Sequence, residues 1–148
     1  MRKGVLSLCV LAAGLAAAPL SGWAADTATP PANPMISFEL NKLETHEGGC
    51  RAYIVVDNPT NATFQSFNME LYFFGTDGII NGQVLFNFAP IRAHARNVKG
   101  LYLEHLPCDA IATILANDVQ QCKMDNVDNS DCLSLLTVSS RASAKFSK

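Results

Sequence analysis

The chain has 148 residues, with 11 basic and 13 acidic side chains, a hydrophobic fraction of 49% and a charged fraction of 16%. This length fits one folded domain, and so apolar a composition excludes intrinsic disorder over the whole chain. The near-neutral charge excludes a broad basic surface for nucleic acid, so no nucleic-acid partner is expected.

Residues 1–24 have the parts of a secretory signal sequence. Arg2 and Lys3 form a basic start, an apolar run follows over 5–15, and small residues end the segment. We expect cleavage before Ala25 and export by the general secretion route; a retained anchor is the alternative, but the apolar run is too short to span a bilayer well. The prediction is a periplasmic protein with no membrane span after cleavage. Its net charge is −4, because both charges removed from the chain's −2 are basic.

Residues 25–34 are rich in proline and predict an extended linker. Residues 35–138 are the predicted β-sandwich domain. Alternation of apolar and polar residues dominates this range and is typical of strands with one buried face. The apolar members fall into five groups: Ile36, Phe38 and Leu40; Cys50, Ala52, Ile54 and Val56; Phe67, Met69, Leu71 and Phe73; Val84, Phe86 and Phe88; Leu101 and Leu103. Turn-forming residues separate the groups at intervals of about ten residues, which predicts an immunoglobulin-like antiparallel β-sandwich of about six or seven strands.

The stretch 108–122 fits two structures. Five of its residues recur at helical spacing: Cys108, Ile111, Leu115, Val119 and Cys122. Apolar residues also alternate over 111–116, which suits a buried strand. A strand is preferred because every neighbouring element is a strand, and one short helix near 109–121 is the alternative. A last strand is predicted at 133–138, and the polar residues 139–148 predict a disordered tail.

The order of features in the middle of the chain is also informative. A strand that ends in the turn 57–61 precedes the alternating run 67–73, and the turn Asp77-Gly78 follows. In this order, residues from about 50 to 120 resemble the FxLYD-like group of bacterial exported domains, which are immunoglobulin-like β-sandwiches of uncharacterised function. Where that group has Leu-Tyr-Asp, this chain has Leu71-Tyr72-Phe73, and the acidic residue is delayed to Asp77. The resemblance implies the fold and a binding or structural role, and it implies no catalytic residue.

The cysteines predict disulfide bonds. Cys9 leaves with the signal sequence, and the four cysteines that remain meet an oxidising compartment, so two disulfides are expected. Four cysteines allow three pairings. The pairing Cys122–Cys132 is favoured because it closes a short polar loop, and Cys50–Cys108 because it ties the second strand to the end of the fifth.

A metal site is the alternative use of some of these residues. His46 lies four positions before Cys50, and His105 three positions before Cys108. If the fold brought the two pairs together, they would form a two-His, two-Cys tetrahedron suited to zinc. The compartment favours disulfides, and no metal or other cofactor is expected. The oxygen-rich segment 125–131 departs from the calcium-loop spacing, because it lacks an oxygen ligand at the third position and a glycine at the sixth.

The sequence carries no catalytic motif. It has no nucleophile elbow, phosphate-binding loop, dinucleotide fingerprint or H-E-x-x-H motif, and no C-x-x-C redox motif, so no enzyme is expected. Most of the aromatic residues are expected in the core: Phe64, Phe67, Phe73, Phe86 and Phe88. Tyr72 and Phe74 alternate with core positions, so they form a candidate partner surface. We expect an exported module that binds an envelope protein or supports an envelope assembly; the alternative is a periplasmic carrier of a small ligand or metal.

Overall fold

The computed structural model describes residues 36–148, so the predicted signal sequence over 1–24 and the linker over 25–34 lie outside the described residues. The described part contains nine strands and two short 3-10 helices. The strands are β1 (Ile36–His46), β2 (Gly49–Asn58), β3 (Phe64–Phe74), β4 (Ile80–Asn87), β5 (Ala95–Glu104), β6 (Thr113–Met124), β7 (Val127–Asp128), β8 (Leu136–Ser140) and β9 (Lys145–Ser147), and the 3-10 helices are Cys108–Ala110 and Cys132–Leu135.

These strands form two sheets that share one core, which confirms the predicted β-sandwich class. The first sheet has the order β5–β2–β1–β8, and the second has the order β4–β3–β6–β7, with β9 also paired to β6. The order β1–β2–β5 opposite β4–β3–β6 corresponds to strands A-B-E opposite C′-C-F of immunoglobulin-type sandwiches. The parallel pairings β1–β8 and β6–β9 are additions to that order.

Aromatic rings from both sheets form the centre of the core. The ring of Phe38 in β1 lies 5.4 Å from that of Phe67 in β3 and 5.1 Å from that of Phe88, which follows β4. Phe64 and Phe73 are also fully buried. Since burying one such side chain contributes about 1.5–3 kcal/mol, this cluster is a major part of what holds the two sheets together. The prediction that most of the aromatic residues belong to the core is confirmed.

The stretch 108–122 is mainly a strand. Only Cys108–Ala110 takes a helical turn, and β6 then pairs with β3 from Thr113 to Met124. The preference for a strand is confirmed, and the alternative of a helix extending over 109–121 is wrong. The physical reason is tertiary, because a strand in this place completes the hydrogen bonding of β3, which lies between β4 and β6.

The end of the chain is ordered, in contrast to the predicted disordered tail over 139–148. The strand β8 extends to Ser140, and β9 pairs in parallel with the start of β6. Phe146 in β9 is only 7% exposed, and Ala144 before it is buried as well. The Ser140 hydroxyl donates to the Ala144 carbonyl at 2.6 Å and closes the turn between the two strands. A buried aromatic ring therefore holds a segment that is polar in average composition.

The turn from β2 to β3 is fixed by Asn58, whose side chain is fully buried. Its Nδ2 donates to the carbonyls of Ala62 and Arg92 at 2.8 and 3.0 Å. Its Oδ1 accepts from the amide and the hydroxyl of Thr60 at 3.0 and 2.7 Å. All four hydrogen-bonding positions of the amide are used, so its burial leaves no unpaired group. The turn sets the start of β3, the strand that lies between β4 and β6 in the second sheet.

Candidate functional site

Two disulfides lie within the described residues. Cys50 bonds to Cys108 with a Cα–Cα distance of 4.9 Å, and Cys122 bonds to Cys132 with a Cα–Cα distance of 6.3 Å. They join the same pairs that the sequence favoured. The first connects β2 of the first sheet to the segment that leads into β6 of the second, and the second ties the loop after β7 to β6.

The two histidines of the metal alternative line the same cleft. His46 and His105 line one cleft of about 630 Å³, together with Cys108. The sulfur atoms of Cys50 and Cys108 are bonded to each other, however, so they do not offer the thiolates that a two-His, two-Cys zinc site requires. Over residues 36–148, no group of three or more His, Cys, Asp or Glu side chains is arranged to hold a metal ion.

The oxygen-rich segment 125–131 is hydrogen-bonded to main chain. The Asp125 carboxylate accepts from the Thr63 amide at 2.8 Å, and the side-chain Oδ1 of Asn129 accepts from the Asp131 amide at 3.0 Å. These oxygens stabilise the loop that the Cys122–Cys132 disulfide closes. Most side chains over 125–131 are exposed, as is usual for a loop.

The outer faces of the two sheets differ in their polar chemistry. On the first sheet, Glu39 lies 2.8 Å from Arg141 and Lys42 lies 2.8 Å from Glu44. The hydrogen bond from Arg141 lowers the pKa of Glu39, and the hydrogen bond from Lys42 lowers the pKa of Glu44. On the second sheet, Glu70 belongs to none of the four ion pairs among the described residues. The second sheet therefore presents a carboxylate that lacks a cationic partner.

Side-chain amides surround that carboxylate. Gln83 Nε2 and Asn117 Nδ2 each donate to a Glu70 oxygen at 2.7 Å, and Gln120 Nε2 lies 3.4 Å from one of them. The adjoining Asn68 donates to Gln121 at 2.7 Å, and its own Oδ1 is buried without a partner. We call this group the amide cluster: Asn68, Glu70, Gln83, Asn117, Gln120 and Gln121. None of its members stands out in the sequence, where the available signal is the recurrence of Asn, Gln and Glu in β3, β4 and β6.

Tyr72 and Phe74, the predicted partner surface, lie on β3 beside this cluster. Both side chains are half-buried. Tyr72 follows Glu70 by two residues, so the two share one face of the sheet, and it lies opposite Gln83 of β4 in the register. Tyr72 therefore borders the amide cluster.

The strand β4 forms an open edge of the second sheet and exposes apolar side chains. Ile80 and Leu85 are 52% and 51% exposed, and Ile79 just before the strand is 66% exposed. The inward-facing residues Val84 and Phe86 are only half-buried. Apolar surface is therefore accessible on both faces of this strand.

The composition of β4 lacks the usual protection of an edge strand. Its eight residues include no charged residue and no proline, although edge strands are commonly shielded from other chains by such residues. The strand β5, at the edge of the first sheet, carries Arg96, Lys99 and Glu104. Residues of β4 and β5 line the same cleft of about 240 Å³. The uncharged edge strand and the charged edge strand are therefore neighbours in the fold.

Residues 36–148 include no helix with the length and apolar character needed to cross a membrane. Comparisons with protein-family models, curated proteins and solved structures find no match to this chain. The resemblance to the FxLYD-like group stays a prediction.

Proposed function

We propose that this chain is an exported protein–protein interaction module of the cell envelope that binds an extended segment of another envelope protein along β4. Its role is binding or structural support and involves no catalysis. The two disulfides support residence in an oxidising compartment such as the periplasm. The observation that carries the proposal is the open edge of β4 over residues 82–87, which is uncharged and follows the bulge at Asn81.

The main chain of β4 offers hydrogen-bonding groups on its open side. The Phe88 amide donates to the Phe67 carbonyl at 2.9 Å, and the register continues with Phe86 opposite Met69. Hydrogen bonds in an antiparallel pair involve every second residue of each strand, so the main chain of Phe86 points towards β3 and that of Leu85 points away. The N–H and C=O groups of Leu85 are therefore oriented for pairing with an added strand.

The side chains around this edge favour an apolar strand that is neutral or basic. An added strand would bury the exposed Ile80 and Leu85 and the half-exposed Val84 and Phe86, with a gain of about 25 cal/mol per Å² of apolar surface. Glu70 lies opposite Leu85 in the register, and its negative charge disfavours an acidic segment. The expected partner therefore presents alternating apolar residues without clustered carboxylates.

The test compares two substitutions at Leu85 in the full chain. Leu85→Ala removes the exposed side chain and keeps the N–H group. Leu85→Pro also removes the N–H group on the open side, and the pairing with β3 is retained because that pairing uses the neighbouring residues. A photo-reactive phenylalanine analogue replaces Ile80 in each background, and cross-linking is carried out in cells of the native host. We expect one cross-linked protein that is reduced by Leu85→Ala and lost with Leu85→Pro.

The matched control places the photo-reactive residue at Val98 of β5, which is 63% exposed on a charged edge strand and is expected to give no product. Circular dichroism verifies that each variant is folded, and mass spectrometry identifies the captured segment. Undiminished cross-linking in a folded Leu85→Pro variant would contradict the proposal. A product that consists of two copies of this chain would contradict the choice of partner.

A further inference from the structure

Three β-bulges interrupt the pairing of β3 with β6, and each inserts a side-chain amide. Gln65 of β3 falls between the pairs Phe64–Met124 and Ser66–Lys123 and has no partner residue. In β6, Asn117 and Gln120 are unpaired in the same way, because the register steps over them. A bulge changes the direction of a side chain and is frequent beside functional sites. Three such insertions of one chemical type in one strand pair indicate a surface that is built to present amides.

Two of the inserted amides converge on one carboxylate. Asn117 donates to Glu70 Oε2 at 2.7 Å, and Gln120 lies 3.4 Å from Glu70 Oε1, where Gln83 of β4 also donates at 2.7 Å. Three neighbouring strands thus contribute to the amide cluster. Since strands lie about 4.8 Å apart, the cluster crosses about 10 Å of the sheet.

A cleft of about 530 Å³ continues the amide cluster towards β7. Gln120 and Gln121 belong to the amide cluster and also line this cleft. The cleft is lined in addition by Gln65, Ser66 and Ser130, which are not members of the cluster. The two charged residues of its wall, Lys123 and Asp128, approach each other to 3.8 Å, so the wall adds no net charge. The combined surface is rich in amides and hydroxyls. Among the described residues, its two carboxylates without a cationic partner are Glu70 and Asp118, which lie opposite each other in the register of β3 and β6.

The chemistry of this surface selects a class of ligand. An amide donates and accepts at adjacent atoms, as neighbouring hydroxyl groups of a sugar do. The Glu70 carboxylate accepts hydrogen bonds and, without a cationic partner, repels anions. Tyr72 beside the cluster offers an apolar ring face with a polar tip. We propose that the amide cluster and its cleft bind a neutral oligosaccharide.

A peptide is disfavoured at this place. The strand β3 is paired on both sides, with β4 and with β6, so the centre of the sheet has no free main-chain groups with which an extended peptide could pair. Recognition must use side chains, and amides around a carboxylate suit hydroxyl groups. The cluster adjoins β4 through Gln83, but the sugar would contact side chains on the outer face of the sheet, whereas the partner strand would pair with the open main-chain groups of β4. Sugar binding therefore does not require the proposed function.

The test is a titration of the isotope-labelled full chain, purified after export, followed by the NMR signals of its side-chain NH2 groups. The probes are chitotetraose, cellotetraose and maltotetraose, with tetragalacturonate as an acidic sugar of equal length. At least one neutral probe is expected to shift the Asn117 and Gln120 signals to saturation, and tetragalacturonate is expected to bind at least tenfold more weakly. Asn117→Ala is expected to weaken binding of that probe at least tenfold.

Asn41→Ala is the matched control, because Asn41 is an exposed amide that donates to Glu39 at 3.0 Å on the first sheet. Its affinity for the neutral probe is expected to equal that of the unmodified chain, and backbone NMR spectra verify that both variants are folded. The proposal is overturned if no neutral probe produces saturable shifts, or if tetragalacturonate binds equally well. It is also overturned if Asn41→Ala weakens binding as much as Asn117→Ala does, or if an uncharged extended peptide displaces the sugar.

Discussion

Removal of the Cys50–Cys108 disulfide is expected to destabilise the protein more than removal of Cys122–Cys132. The first bond joins residues 58 positions apart, and the second joins residues 10 positions apart. A cross-link over a longer segment removes more conformational entropy from the unfolded chain. The chain-entropy relation gives about 4.2 kcal/mol for the longer loop and about 2.7 kcal/mol for the shorter one at 25 °C, a difference of about 1.5 kcal/mol.

Packing is not expected to reverse this order. Cys50, Cys122 and Cys132 are all buried, so replacing either pair with alanine leaves a small cavity in the core. Cavities of similar size cost similar free energy, and the difference between the two variants then reports mainly the loop length.

Urea unfolding of the double variants Cys50→Ala/Cys108→Ala and Cys122→Ala/Cys132→Ala measures both effects. The slope of the unfolding free energy against urea is expected to rise in each, because an unfolded chain without a cross-link exposes more surface. The free energy extrapolated to water is expected to be lower for the first variant. A lower value for the second would refute the entropic reasoning.

Two further predictions concern the first sheet. A Cβ atom at Gly49 would lie 2.0 Å from the Leu103 carbonyl oxygen. Gly49→Ala must therefore separate β2 from β5, and thermal unfolding is expected to show a loss of stability of about 1–3 kcal/mol. The control is Gly100→Ala, whose added atom has nothing within 4 Å and whose stability should change by no more than about 0.5 kcal/mol. Arg141→Gln removes the hydrogen bond that lowers the pKa of Glu39. The folded pKa of Glu39 lies below its unfolded value of about 4.3, so the stability from this contact is present above that value and is lost as the pH falls through the folded pKa. The variant should therefore be less stable than the unmodified chain at neutral pH and equally stable in strong acid, and a difference that does not change with pH would contradict this.

The strands of the first two-thirds of the chain could be predicted because their signal is local. In β3, every second residue from Phe67 to Phe73 is apolar, and the same residues are buried in the structure. The fifth apolar group, Leu101 and Leu103, falls in β5, which runs from Ala95 to Glu104, and both residues are buried. An alternating pattern is sufficient where each strand has one buried face and no irregularity interrupts it.

The ambiguity of β6 has a structural cause. Its buried residues are Ile114, Ala116, Val119 and Cys122, and the two steps of three residues each contain an inserted residue of a bulge. Strict alternation would give steps of two. The bulge at Gln120 therefore produces the step of three from Val119 to Cys122 that contributes to the apparent helical pattern. Leu115, another member of that pattern, is only half-buried, and Cys108 and Ile111 precede the strand.

The ordered chain end could not be predicted from local pattern. The residues of β9 have one large apolar side chain, Phe146, in a polar and basic context, and such a composition is typical of a frayed end. The strand forms because β6 offers an edge at Thr113–Leu115, more than 30 positions earlier in the chain. Contacts of this range depend on the tertiary fold, and a single sequence carries little trace of them.

The asymmetry between the two sheets connects both proposals. Folding requires inward residues that fill the core, and both sheets supply them. Folding restricts the outward residues less, and charged side chains there, including those on edge strands, are sufficient to prevent sandwiches from associating through their edges. The first sheet has such a charged surface, formed by the ion pairs Glu39–Arg141 and Lys42–Glu44 and by the charged edge strand β5. The second sheet differs in two respects, by the uncharged apolar edge of β4 and by an amide cluster without a cation. Neither departure is needed for the core, so binding is the simpler explanation for both.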